Sequence, residues 1–224
     1  MTSAGIYIHI PFCRSRCSYC DFATGMYESG IAGRYVSALC AEIKAWREVE
    51  QLSVVDTIYF GGGTPSLLEP TQIARILNSI KDRFEVGDST EITLEINPGD
   101  GGASDASKQS RFGFDAALGR RYSRKDTLHQ LCALGINRAS FGAQTFDDRH
   151  LKQLGRTHSA ADISSTFQQL RDAGFVHADL RANLLHRDFA VVIKTDHLAL
   201  APGQRSDRDP DPVPSLELLI CHVW

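Results

Sequence analysis

Apolar positions along this chain change period again and again, from two to between three and four and back, as far as about residue 177. Gly5 to Phe12 is an apolar run broken only by His9 and closed by Pro11, which predicts a strand with a loop behind it. Gly33 to Val49 carries Tyr35, Leu39, Ile43 and Trp46 on one stripe and Arg34, Glu42, Lys44 and Arg47 on the wet side, the pattern of an amphipathic helix. Val54 to Phe60 reads as a buried strand running into Gly61-Gly62-Gly63-Thr64-Pro65-Ser66. Thr71 to Phe84 then sets Ile73, Ile76, Leu77 and Ile80 at helical spacing.

Glu91 to Ile96 alternates Ile92, Leu94 and Ile96 with Thr93 and Glu95, and stops at Asn97-Pro98-Gly99. A helix over Asp126 to Leu134 ends at Gly135, a strand over Arg138 to Thr145 follows, and Ser159 to Ala173 is a helix stopped by Gly174. The order βα, βα, βα, βα predicts an α/β domain with parallel strands.

Two stretches break the rhythm. Gly99 to Ser123, rich in Gly, Ser, Asp and Arg, reads as a loop insertion. Beyond Ala178 no βα unit is legible, only an apolar run over Phe189 to Ile193 and then Ala201 to Pro212, which has the composition of a disordered tail. The expected organisation is a core over 1–177 with an insertion at 99–123, and a divergent tail over 178–224. Both abrupt changes of composition suggest a retained intron or a shifted reading frame.

A net charge of −3 without a long basic run argues against nucleic acid as a partner. No apolar stretch approaches 18 residues, and Met1 to Ala4 leads straight into the first strand, so a cytoplasmic protein without a membrane span or leader is expected.

Cys13, Cys17 and Cys20, spaced C-x3-C-x2-C, carry the chemistry. Three thiolates on one tight loop can hold three irons of a [4Fe-4S] cluster and leave the fourth open to a small molecule. A structural zinc site needs a fourth ligand, and no close C-x2-C or H-x3-H follows. Cys40 and Cys132 lie in helical patterns as small apolar residues, Cys221 has no partner spacing, and His158 and His177 read as packing or surface residues.

Gly5-Ile6-Tyr7-Ile8-His9-Ile10-Pro11-Phe12-Cys13 followed by Cys17-Ser18-Tyr19-Cys20-Asp21-Phe22 resembles the radical S-adenosylmethionine (SAM) proteins of the oxygen-independent coproporphyrinogen III oxidase group, most closely the HemW branch. Further matching strings, in order, are Tyr59 to Ser66, Glu95 to Gly99, Gly135 to Arg138, Gln144 to Asp148 and Leu154 to His158. The resemblance implies a partial (β/α) barrel of the radical SAM type, truncated after about four βα units. It also implies a [4Fe-4S] cluster on Cys13, Cys17 and Cys20, with SAM on its open iron. One electron would split the sulfonium to a 5'-deoxyadenosyl radical that abstracts hydrogen.

Carried over by position, Tyr7 and Tyr19 would pack around cluster and SAM, and the backbone of Gly62, Gly63 and Thr64 would meet the methionine amino group. Glu95, Gln144 and Arg156 would complete the shell, Arg156 as a bidentate partner of a carboxylate. The implied partners are porphyrinogen or haem and an electron donor such as flavodoxin or ferredoxin. The implied activity is that of an oxidase, a haem chaperone or an inactive truncated product. Two departures stand out. Arg181 takes the place of a SAM-contacting aspartate, and Phe22 that of the oxidase's further cysteine.

Overall fold

The computed structural model describes residues 3–46, 54–98, 114–115, 120–121, 124–175, 177–184, 187–194 and 217–221. The first half holds β1 (Ser3–Ile10), β2 (Phe12–Cys13), β3 (Gly25–Met26), α1 (Ser29–Ala45), β4 (Val54–Gly62), α2 (Pro70–Lys81) and β5 (Val86–Ile96). The second holds β6 (Phe114–Asp115), β7 (Arg120–Arg121), α3 (Arg124–Ala133), β8 (Arg138–Gly142), α4 (Asp148–Gln153), α5 (Ala160–Asp172), β9 (His177–Leu184), β10 (Arg187–Lys194) and β11 (Glu217–Cys221). The main sheet runs β10-β9-β8-β5-β4-β1-β11, parallel except for the antiparallel pair of β9 and β10.

Strand alternation divides the sheet into two faces. Ala4, Ile6, Ile8 and Ile10 of β1 are buried on one side, joined by Ile58 and Phe60 of β4, Ile92, Leu94 and Ile96 of β5, and Ala139 and Phe141 of β8. The helices cover this side. α1 contributes Ala32, Val36, Leu39, Cys40 and Ile43, and α2 contributes Ile73, Ile76, Leu77 and Ile80, to one continuous core. Tyr7 and His9 belong to the opposite face, where register pairs Tyr7 with Tyr59, and His9 with Gly61.

The predicted βα units are present, with shifted ends. The helix expected from Gly33 begins four residues earlier at Ser29, because Glu28 caps it without a side-chain hydrogen bond and leaves no start signal to read. α2 does carry its signal: Gln72 Oε1 accepts from Glu69 N at 2.9 Å, and Pro70 fills the first turn. The strand expected over 138–145 stops at Gly142, where Thr145 N reaches back to Ala143 O at 2.7 Å. α4 was not predicted, although Asp147 caps it by accepting from Arg149 N at 2.8 Å.

Gly135-Ile136-Asn137-Arg138 acquires a structural reason. Gly135 has φ 98°, Ile136 is buried, and Asn137 accepts from Ile92 N and donates to Thr90 O, both at 2.9 Å. Asn137 thereby extends the β5 ladder below β8, and Arg138 pairs with Glu91 at 3.2 Å.

Within the stretch 178–224, which the sequence reads as a divergent tail, residues of β9, β10 and β11 are extended strands; the Ala201 to Pro212 segment lies outside the described residues. Because β10 is antiparallel, it adds no βα unit. In the insertion, β6 and β7 form a two-strand antiparallel ladder, and the remainder of 99–123 lies outside the described residues.

Candidate functional site

The cysteine loop leaves β1 through Pro11 and is clamped at both ends. Gly25 N donates to Pro11 O at 2.7 Å, and Tyr27 N to Cys13 O at 2.9 Å, closing its neck. Cys20 N donates to Cys17 O at 3.2 Å, a tight turn that gathers two of the thiols. Cys13, Cys17 and Cys20 are half-buried and unpaired. Burial pushes the Cys13 thiol up, against the Thr64 hydroxyl, which donates to Cys13 Sγ at 3.8 Å and favours the thiolate. Among the described residues, no three His, Cys, Asp or Glu side chains already converge as ligands of one metal ion.

The glycine turn after β4 is stapled to this loop. Gly63 N donates to Ile10 O at 2.8 Å and Thr64 N to Phe12 O at 2.7 Å. A Cβ at Gly63 would lie 2.5 Å from the Phe12 carbonyl oxygen, so the approach admits only glycine. Gly62, at φ 107°, leaves room for the His9 ring, which a Cβ would meet at 2.7 Å.

On the open face, Tyr7 stacks on Tyr59 with centroids 5.9 Å apart, and the Tyr59 hydroxyl donates to Glu95 Oε1 at 2.6 Å. His9 joins this wall to the cysteine loop: Nδ1 accepts from the Tyr7 hydroxyl and Nε2 donates to Ala23 O, both at 3.3 Å. A cleft of about 400 Å³ lies beside the stack, lined in part by Tyr7, Phe22, Tyr59, Gly62 and Glu95.

Beyond β8 the chain turns through Gln144, the one non-glycine residue with positive φ, 63°, among those described. Gln144 is 6% exposed and its Oε1 has no partner. Arg156 follows α4, donates to Asn97 Oδ1 at 3.1 Å and sits 5.6 Å from the Tyr19 ring centroid, while its Nε is buried without a partner. Gly155 brings this segment against the loop, since a Cβ there would lie 3.6 Å from Ser18 N.

The structure thus gathers every sequence-predicted position at the C-terminal edge of the sheet and its loops: Cys13, Cys17 and Cys20, with Tyr7, Tyr19, Gly62, Gly63, Thr64, Glu95, Gln144 and Arg156. Sequence reasoning missed His9, Tyr59 and Asn97 as partners, and set His158 aside although it is buried beside this edge. Tyr59 and Asn97 each stand within a quoted string, and pairing across strands was the missing signal. At the position expected to hold an aspartate, Arg181 lies opposite Gly142, with Asp179 opposite Ser140.

The sequence model of the radical SAM superfamily matches residues 7–186. The chain is 39% identical over 207 residues to the heme chaperone HemW of Synechocystis, covering 89% of this chain and 44% of that one. The HemW of Lactococcus lactis is 32% identical over 218 residues, 97% of this chain and 47% of that one. A mouse protein named radical S-adenosyl methionine domain-containing protein 1, mitochondrial, is 34% identical over 185 residues, 82% and 37%. Among solved structures, coproporphyrinogen III oxidase (HemN) of Escherichia coli superposes with a TM-score of 0.62 at 25% identity, over 80% of this chain and 36% of that one. The chain spans less than half the length of each of these relatives. With the match running through most of its own length, from Tyr7 in β1 to just past the strand after α5, the chain belongs to the radical SAM superfamily, a family that implies a [4Fe-4S] cluster and SAM.

Proposed function

We propose that this chain holds a [4Fe-4S] cluster on Cys13, Cys17 and Cys20, binds SAM across the C-terminal edge of its sheet, and serves porphyrin and haem metabolism. The observation that carries this reading is the meeting of three unpaired thiols with Gln144 Oε1 and Arg156 Nε, buried polar atoms without partners. Buried polar groups are ordinarily satisfied, so orphaned ones beside half-buried thiols mark room for a polar ligand. The residues present fit the group.

Each donor has a task that its chemistry suits. Arg156 is the carboxylate partner, its fork already oriented by Asn97 and its guanidinium carbon 5.6 Å from the Tyr19 ring centroid. The amides of Gly63 and Thr64 are taken by Ile10 and Phe12, so this turn meets an amino group through carbonyl oxygens. Glu95, fixed by Tyr59, and Gln144 accept from ligand hydroxyl and amino groups. Tyr7 and Tyr19 cover the site and exclude water. When bound, the reduced cluster and SAM supply one-electron cleavage of the sulfonium.

Oxidative decarboxylation of a porphyrinogen is the activity proposed first: an electron donor of the flavodoxin or ferredoxin kind would prime SAM, which takes one hydrogen atom from the substrate, and a one-electron acceptor would take the remaining electron as carbon dioxide leaves. HemN supports it through the shared fold. A haem chaperone without oxidase chemistry is the second reading. It is favoured by Phe22, 61% exposed where the oxidase pattern has a further cysteine, and by relatives whose names state that role. Among the described residues no helix is long and apolar enough to cross a membrane, and a cytoplasmic setting belongs to the same proposal.

Anaerobic reconstitution with iron and sulfide counting, then SAM cleavage under a chemical reductant, tests the reading. Uptake of a cluster and release of cleaved SAM are expected; refusal of iron, or preference for zinc, ends it. Titration with haem, followed at the Soret band beside a coproporphyrinogen turnover assay, separates chaperone from oxidase.

A further inference from the structure

We propose that the Thr64 hydroxyl tunes the cluster by donating a hydrogen bond to the sulfur of Cys13, so that its removal makes the cluster harder to reduce. The inference rests on the functional reading above. Thr64 Oγ1 lies 3.8 Å from Cys13 Sγ, at the long end of a hydrogen bond to sulfur, across 51 positions of sequence. Only the fold brings two such distant groups together.

The backbone holds residue 64 beside residue 13 from both sides. Thr64 N donates to Phe12 O at 2.7 Å, and Thr64 O accepts from Leu67 N at 3.0 Å. One position earlier, Gly63 N donates to Ile10 O at 2.8 Å, and a Cβ at Gly63 would lie 2.5 Å from the Phe12 carbonyl oxygen. Phe12, the neighbour of Cys13, is itself anchored, its ring edge-on to Tyr27 and Tyr35 with centroids 6.1 and 5.4 Å apart. Being β-branched, threonine has few side-chain rotamers on such a fixed backbone. Thr64 stands just before the short helical turn Pro65–Leu67, yet its side chain makes no capping hydrogen bond there. The turn therefore leaves the hydroxyl available to the sulfur.

The effect follows from where charge goes. Cysteine binds iron as the thiolate, and an electron entering the cluster adds negative charge that the sulfurs share. An O–H directed at one of them is held more tightly after the electron arrives, so it favours the reduced state and raises the reduction potential. The hydroxyl does this without bringing a net charge of its own. Since SAM is split by the reduced form, Thr64 eases delivery of the electron on which that step depends.

The test compares Thr64→Val, which keeps the branched shape and loses the O–H, with Thr64→Ser, which keeps the O–H. Both are made in the full chain, reconstituted anaerobically and titrated without SAM against redox mediators, with the electron paramagnetic resonance signal of the reduced cluster as the readout. For the valine variant, iron and sulfide contents match the unmodified chain, and the equilibrium constant for reduction falls roughly three- to tenfold, a shift of about 30 to 60 mV for one electron. Serine stays close to the unmodified chain. A valine potential equal to that of the unmodified chain, or a serine shift as large as valine's, overturns the inference and leaves the cluster reading standing. Loss of iron from the valine variant makes Thr64 a requirement for loading rather than for tuning, and overturns it too. Absence of a cluster from the unmodified chain removes the functional reading and this inference with it.

Discussion

On the helix-covered face of the sheet, Ile8, Ile58, Phe60, Leu94 and Phe141 pack into one apolar cluster and bring no polar side-chain atom that needs a partner. On the opposite face and its C-terminal edge, Tyr7, His9, Tyr59 and Glu95 are joined by hydrogen bonds and stacking, Arg156 is bonded to Asn97, and atoms of Gln144, Arg156 and His158 remain unsatisfied. The same strands supply both faces, at alternate positions. The first face therefore holds the fold without offering any chemistry, whereas the second keeps hydrogen-bonding capacity in reserve for a ligand. Cutting one should cost stability and spare ligand affinity; cutting the other should do the reverse.

The largest expected effect is all or none: Cys17→Ala removes one of the three proposed iron ligands, and iron and sulfide counts after reconstitution fall to background while the far-ultraviolet circular dichroism stays. Next, on the covered face, Phe60→Ala costs about 3–5 kcal/mol in urea unfolding of the metal-free chain. Glu95→Gln removes the charged acceptor of the Tyr59 hydroxyl. SAM affinity drops roughly 10- to 100-fold, read by equilibrium dialysis, with melting nearly unchanged.

A pair of glycines sharpens the contrast. Gly62→Ala is both strained and blocked by the His9 ring, and lowers stability by roughly 1–3 kcal/mol in urea unfolding. Gly174→Ala is strained in open space at φ 93°, and costs about 1 kcal/mol. Equal losses would mean that the His9 contact is slack.

The smallest effect is one of pH. His158 titrates below its ordinary 6.5 in the folded chain, so the unfolded chain binds more protons as pH falls through that value. Stability present above about 6.5 is then lost on acidification, and His158→Leu makes the acid limb of a melting-temperature profile shallower.

What the sequence disclosed about this fold was whatever local chemistry demands. Gly63 must be glycine because its backbone abuts Phe12, Gly135 because φ is positive, and three cysteines on one loop have few other uses. Helical and strand periods located α1, α2, α5 and the first four long parallel strands. The start of α1 was hidden because Glu28 makes no side-chain cap, and the six residues of α4 are too few for a period to emerge. His158 escaped notice for another reason: a lone histidine in a loop says nothing of its burial until α5 and the Ala143 turn are brought over it. Tyr59 and Glu95 lie on neighbouring strands, and only their register joins them. The C-terminal strands β9 and β10 pair with each other through contacts that no short-range pattern announces.

The neck of the cysteine loop, closed by the Gly25–Pro11 and Tyr27–Cys13 hydrogen bonds, has a bearing on how the protein matures. A ring of chain tied at its base shortens the span over which its sulfurs can wander, so part of the entropy of gathering them is lost during folding rather than at loading. The side chains have still to converge, and for the proposed cluster that last step is a local rearrangement inside a loop whose ends are already fixed.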